Sequence, residues 1–289
     1  LKPSTGENIF QAVLILLITL MCVVMIYPFV HIASLSVSSP AEASRFGMHL
    51  YPKEIDFTGW KQVLAQKKIW TGFGNSAFRT IVGTFLTLIM MSLCAYPLSR
   101  KTLPHRNVYT MIILFTMFFG GGLVPNYLLI KSLHLMDSVW VYIIPGLVPT
   151  FSMLVLRNFF MSIPLELEES AKIDGANDIR ILFTIVLPLS KPVLATLALW
   201  SAVGHWNAWF DAVLYISDQS KQVLQFFLRE IVITNTDAET LGRSTVDNIR
   251  YETSIKAATI MFAIMPILVV YPFLQKYFVK GTMIGSLKG

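Results

Sequence analysis

Six blocks of apolar residues, each about as long as a lipid bilayer is thick, limit the possible folds of this chain more than any other feature. A helix crossing the hydrocarbon core needs about 20 largely apolar residues, and such blocks fall at 9–30, 77–98, 108–130, 139–160, 193–216 and 255–278. Hydrophobic residues make up 54% of the chain and charged residues 14%. A soluble domain carries about a quarter charged residues, so this chain has too little polar surface to cover itself in water. The expectation is an all-α integral membrane protein with about six transmembrane helices, forming one domain over 1–289. The block at 108–130 is interrupted by Gly120, Gly121, Gly122 and Pro125, a break tolerated where helices pack or line a cavity but not against lipid. The first block is longer than the apolar core of a secretory signal, and HIASLSVSSP, which contains the residues after Val30, holds no Ala-x-Ala-like cleavage site. It reads as a retained helix. The chain begins at Leu1 rather than Met, so its N-terminal extent is left open.

The net charge of +6 does not point to a nucleic-acid partner, because the basic residues sit in short clusters between apolar blocks, the pattern that sets membrane orientation. The turn SRKTLPHRN holds Arg100, Lys101 and Arg106, and the C-terminal stretch holds Lys276, Lys280 and Lys288. Both belong on the cytoplasmic side. Alternation then places both termini and 162–188 inside, and 31–76 and 217–254 outside. Trp60, Trp70 and Tyr51 in the first outer loop suit the headgroup level, where such rings are enriched. The stretch VLQFFLREIVI in the second suits a helix lying across the outer face. Cys22 and Cys94 lie inside apolar blocks and read as small packing residues, not a disulfide or a metal pair.

The inner segment 162–188 reads SIPLELEESAKIDGANDIRILFTIVLP. Pro164 near the first turn, acidic Glu166, Glu168 and Glu169 at the positive helix end, and a Glu168 to Lys172 pair at i,i+4 favour a short helix. Gly175 can take the left-handed conformation that ends it. Asn177 is placed to cap a second helix, and Pro188 precedes the fifth span. The result is a helix, a glycine elbow and a second helix projecting from the membrane.

The spacing Glu169-Ser170-Ala171, three residues, Gly175, nine residues, Ile185-Val186-Leu187-Pro188 resembles the EAA loop, E-A-A-x3-G-x9-I-x-L-P, of bacterial ABC importer permeases. Ser170 stands where that family usually has Ala, a small-for-small change. The stretches GGLVPNYLLIKSLHLMDS, GHWNAWFDAVLYIS and FLQKYFVKGTMIGSLKG are similar to the carbohydrate branch of type I importers, the maltose-permease class, and to its oligosaccharide and polysaccharide subgroup. The likeness covers roughly 96–289. It implies the type I importer permease fold in a bacterial cytoplasmic (inner) membrane, with 162–188 as the loop that docks on an ATPase. In that role Glu169, Ser170, Ala171, Asp174 and Gly175 form the docking element, while Ile185, Leu187 and Pro188 fix its exit into the fifth helix. It also implies a second homologous permease, two ATPase subunits holding ATP and Mg, an external substrate-binding protein and a sugar substrate, with alginate as the specific guess.

Polar and ionisable groups inside hydrocarbon are costly and default to a functional hypothesis. At ~1.5 Å per residue from Lys191, His205 and Asn207 fall in the outer half of the bilayer and Asp211 at its edge, where it reads as a solvated helix end. With Trp206 and Trp209 as flat faces for sugar rings, His205 and Asn207 are the candidate substrate path. The alternative is that Asn207 bonds a neighbouring helix and the two Trp form an interfacial belt. His205 lacks partners at metal-ligand spacing. No G-x-x-x-x-G-K-[ST], H-E-x-x-H or G-x-S-x-G occurs in the sequence, so neither an ATPase site, a zinc hydrolase nor a serine hydrolase is legible. An ion-gradient transporter, the competing reading, would carry midplane carboxylates and repeated halves. Neither is visible in the sequence.

Overall fold

A computed structural model describes residues 5–45, 47–240 and 253–272. In chain order its helices are α1 (Thr5–Ser36), α2 (Pro40–Ala43), α3 (Thr58–Ala65), α4 (Lys67–Ser99), α5 (Arg106–Phe118), α6 (Leu123–Ser132), α7 (Thr150–Met161), α8 (Glu166–Ile173), α9 (Asp178–Ile181), α10 (Leu187–Leu189), α11 (Lys191–Asn207), α12 (Phe210–Tyr215), α13 (Leu224–Thr240) and α14 (Thr253–Pro272). A π-helical stretch, Leu182–Val186, joins α9 to α10. The extended backbone among the described residues includes one isolated bridge, Ser38 to Ile55.

Among the described residues, three helices are long and apolar enough to cross a bilayer alone: α1 from Gly6, α4 and α14. Three helix pairs pass the same test together but are bent, α5 with α6 at 114°, Val139–Gly146 with α7 at 49°, and Asp178–Leu189 with α11 at 85°. Counting each pair as one span brings the candidates to the expected six. The third breaks where the glycines stand, with Gly122 at φ +83°. The fifth was expected as one piece over 193–216. Instead α11 ends at Asn207, Ala208 is extended at ψ 136°, and α12 resumes at Phe210.

The residues fall into two compact units, Leu1–Ile69 with Leu228–Pro266 and Trp70–Phe227 with Ile267–Gly289. In the first unit, the most apolar window of α1 is entirely unburied, which suits lipid and not water. After α1 the chain is tied by backbone bonds from Ser39 N–H to Glu54 O and from Asp56 N–H to Val37 O. The buried Glu42 carboxylate accepts from the N–H groups of Lys53 and Glu54 at 2.9–3.1 Å. Burial pushes that carboxyl up, but these N–H bonds and nearby Lys53 and His49 bring it below its ordinary range. Gly59 lets α3 meet α14 closely: a Cβ there would lie 2.6 Å from Ser254 Oγ. Helix α13 does form where VLQFFLREIVI predicts one.

The described residues of the second unit include two cores. One draws Met91, Ala95 and Leu98 of α4, Met153, Leu156 and Phe160 of α7, Ile181 and Val186 after the α8 elbow, and Leu197 of α11 into a single cluster. The 3- and 4-residue spacing of Met153, Leu156 and Phe160 makes the inward stripe of α7. The other packs Ile130, Val141, Tyr142, Ile143, Ala212, Ile216 and Val223 together. Between membrane spans, apolar burial gives little drive, so close approach over small residues matters more. Gly72 receives Phe227 and Gly83 receives the His205 imidazole, each at a distance a Cβ would violate.

Candidate functional site

The α8 elbow is built by local rules. Ala176 N–H bonds Ala171 O at 2.9 Å and Gly175 N–H bonds Lys172 O at 3.0 Å, the paired 6→1 and 5→2 bonds of a Schellman end. Gly175 supplies the positive φ, +81°. Asn177 Oδ1 then accepts from Arg180 N–H at 2.8 Å and starts α9.

Placement separates the predicted docking residues into two groups. Glu169, Ser170, Asp174 and Gly175 are exposed on the projecting tip. Ala171 instead packs inward with Ala176, Ile185 and Leu187 against the first core, and Pro188 is exposed beside them. Ile173 at 87% exposed, with Leu165, Leu167, Ile179 and Phe183, adds an apolar surface on the same projection that the motif reading had not singled out.

The expected Glu168 to Lys172 pair is not what forms. Glu168 is buried and ion-paired with Arg100, and its carboxylate also accepts from Tyr96 O–H at 3.2 Å. Arg100 lies over the Tyr96 ring at 4.8 Å and reaches Phe160 O at 3.4 Å. Lys172 pairs with Asp178 across the elbow at 3.1 Å, with both side chains more than half exposed. The basic turn and the α8 loop face each other across a cleft of about 480 Å³ lined by Arg100, Lys101, Leu103, Glu168, Glu169 and Ile179, among others.

At the other end of this unit, Arg79 is 3% exposed and forks onto Asp211, with Nη1 to Oδ1 at 3.1 Å and Nη2 to Oδ2 at 2.5 Å. Its guanidinium also reaches Ala208 O at 3.3 Å and sits 4.6 Å from the centre of the Tyr142 ring. Asp211 is therefore no solvated helix end: it holds the cation that satisfies a carbonyl freed by the α11–α12 break. The signal was in the sequence, since Arg79 lies inside the 77–98 block, where an ionisable group demands a partner. Beyond the break, Asp137 Oδ1 accepts from Ser217 and Asp218 N–H, and Asn75 donates to Ser220 and Gln222 O, nailing the start of the 217–254 loop. The end of that loop, from 241 to 252, lies outside the described residues.

The four residues of the expected substrate path have different surroundings. Trp206 is buried edge-on to Phe73 at 5.6 Å, Asn207 donates back to Val203 O at 3.0 Å, and Trp209 meets Phe210 at 5.4 Å. His205 faces a cavity of about 240 Å³ together with Thr87, Ser152, Trp200 and Ser201. No group of three or more His, Cys, Asp or Glu suited to a metal occurs among the described residues.

Comparison with known families decides the class. The profile described as "binding-protein-dependent transport system inner membrane component" matches residues 69–284. The chain belongs to that family. This permease is 42% identical to Protein LplC of Bacillus subtilis (strain 168), over 91% of this chain and 90% of that one. It is 40% identical to the polygalacturonan/rhamnogalacturonan transport system permease protein YtcP of the same organism, over 95% and 96%. Among solved structures, a chain of a bacterial ABC transporter involved in the import of the acidic polysaccharide alginate superposes with TM-score 0.88 at 34% identity, covering 96% of this permease and 99% of that chain. A chain from the bacterial alginate transporter in complex with alginate pentasaccharide-bound periplasmic protein superposes at TM-score 0.60 and 15% identity, a likeness of fold alone. The membrane bundle is thus an ABC importer permease of the type I fold, a transport component, and the ion-gradient alternative falls away.

Proposed function

We propose that this permease forms one half of the membrane core of an importer for acidic oligosaccharides released from uronate-containing polysaccharides. A homologous second permease forms the other half, two separate ATPase subunits bind ATP and Mg, and an external binding protein delivers the sugar. The observation that carries the reading is the Schellman-ended α8: a rigid, exposed knob bearing Glu169, Ser170, Asp174 and Gly175, rooted in the first core by Ala171, Ile185 and Leu187. A soluble motor can move a membrane bundle through such a lever because the tip is free to dock while its base is part of the packed interior. In this reading 162–188 and both termini lie in the cytoplasm and 217–254 lies outside, in keeping with the basic turn at Arg100, Lys101 and Arg106.

Two relatives support the substrate class. One is described as transporting polygalacturonan and rhamnogalacturonan and the other as importing alginate, and both names imply uronate units. Alginate fragments are accordingly among the candidate substrates.

The test is uptake by proteoliposomes holding the full complex, with trigalacturonate, an alginate trisaccharide and neutral raffinose as probes. Uptake of an acidic probe should need ATP, stop with vanadate and survive a protonophore. Uptake that persists without ATP and collapses with the protonophore would overturn the coupling assignment. Preference for raffinose would overturn the substrate class alone.

A further inference from the structure

We infer that Arg106, at the start of α5, and Arg157, in the last turns of α7, form a site for the phosphate of an anionic membrane phospholipid. Under the topology proposed above this lipid stands in the cytoplasmic leaflet, and the inference rests on that reading for the choice of leaflet alone.

Helix packing brings the two guanidinium groups to one place. α5 and α7 lie side by side in opposite directions, with Thr116 Oγ1 3.5 Å from Thr150 Oγ1 at one end, so the start of α5 meets the end of α7. Arg157 Nε donates to Leu98 O at 2.9 Å, which pins the side chain against the foot of α4. Arg106 and Arg157 are within reach of each other's charge, and like charges so placed repel unless an anion joins them.

The described part of the chain does not supply that anion. Among the described residues neither arginine enters an ion pair. Glu168, the buried acid at this end, is committed to Arg100 and Tyr96, and Asp178 is committed to Lys172. The donors are also open to a guest. Both Nη groups of Arg157 and the Nε and Nη2 groups of Arg106 have no protein partner and keep accessible surface, while Arg106 Nη1 is covered. A guanidinium fork matches phosphate oxygens in geometry as well as in charge, and the exposed Lys101 in the same basic turn adds to the positive field.

The surroundings favour a lipid over a soluble anion or an acidic protein segment. Arg157 belongs to the apolar block 139–160, and cations between helices at the edge of the hydrocarbon attract anionic headgroups. Tyr109, one turn after Arg106 on the same face of α5, is 48% exposed, a ring suited to the headgroup level. Val108, Met111, Ile112 and Phe115 of the same helix are each more than half exposed, and no residue of α5 is buried. An apolar strip for acyl chains therefore begins beside the charged end.

The experiment is native mass spectrometry of the assembled importer released from nanodiscs of mixed phosphatidylglycerol and phosphatidylcholine. The wild-type complex should keep phosphatidylglycerol in preference to phosphatidylcholine. Its retention should fall about fivefold in Arg157→Gln, the attraction one basic residue gains near an anionic leaflet, and further when Arg106→Gln is added. Replacing both arginines by lysine keeps the charge and should preserve most of the binding, and Lys131→Gln on α6 should change nothing. Inorganic phosphate should leave the lipid in place. A wild-type complex with no preference for phosphatidylglycerol would overturn the site without any variant having to fold. Glutamine variants that retain the lipid like wild type, or an equal fall in Lys131→Gln, would also overturn it. Displacement of the lipid by inorganic phosphate would overturn it in favour of a soluble anion, and loss of the ATPase subunits with lipid retention unchanged would do so in favour of an acidic protein partner. Retention is read without transport, so a wild-type complex that imports no sugar would strike the importer reading and leave the lipid site standing.

Discussion

Beside the break in the fifth span, Arg79 is 3% exposed and uses its N–H groups on Asp211, on Ala208 O and on the Tyr142 carbonyl. Beside the projecting α8, Arg100 and Glu168 are 11% and 6% exposed, with Tyr96 O–H and Phe160 O as further partners. The chemistry of the two pairs is the same. The first pair, with Asp211 25% exposed, joins α4 to the irregular backbone at the α11–α12 break and satisfies the freed Ala208 carbonyl. The second joins the foot of α4 to a loop whose other face is open to solvent. What separates them is the open cleft beside Arg100: the Arg79 pair closes a break in the backbone, and the Arg100 pair roots a loop.

The comparison breaks most sharply at Asp211. Asp211→Leu strands the buried Arg79 cation, and loss of one partner from a buried pair costs about 3–5 kcal/mol. The complex should be recovered in low yield and unfold at a markedly lower temperature in detergent. Adding Arg79→Met should restore part of that stability, because the stranded charge goes with it. An unchanged unfolding temperature in the single variant would mean the pair does not hold the break.

Glu168→Ala should cost less, about 1–3 kcal/mol, since Arg100 lies near the cleft and can turn toward water. Its signature should be functional. The subunits still co-purify while transport per ATP hydrolysed falls. A loss of assembly as severe as that of Asp211→Leu would erase the proposed difference between the two ends.

Gly175→Val forces a β-branched residue to φ +81°, a strain of on the order of 1 kcal/mol or more. Space is not the obstacle, because a Cβ at Gly175 meets nothing within 4 Å. The bundle should stay folded while ATP hydrolysis and uptake come apart, and Gly175→Asn, which tolerates the left-handed region, should be milder. Glu169→Lys, a charge reversal on the exposed tip, should uncouple similarly. Normal coupled transport in Gly175→Val and Glu169→Lys would remove the loop from the transmission path.

The smallest effect is expected at the elbow's surface pair. Lys172→Ala removes an exposed contact to Asp178 worth less than about 1 kcal/mol, and neither the unfolding temperature nor uptake should shift measurably. A substantial loss of uptake with stability intact would show that Lys172 itself meets a partner.

Residue order alone determined the features that depend on neighbours along the chain. Apolar blocks long enough to span a bilayer, the EAA spacing with its glycine elbow, and the Asn177 cap are all local, because helix periodicity, hydrophobic length and the left-handed freedom of Gly175 need no knowledge of what lies across the bundle. The pairing of charges was decided only in three dimensions. Glu168 has Lys172 four residues away, yet it pairs with Arg100, 68 positions earlier, because burying that face of α8 leaves the lysine in solvent. Asp211 looked like a helix end and became the counter-ion of Arg79, 132 positions away. The break after Asn207 has the same origin. A helix interrupted inside a membrane exists only where distant side chains satisfy its freed backbone, and those partners are set by tertiary packing.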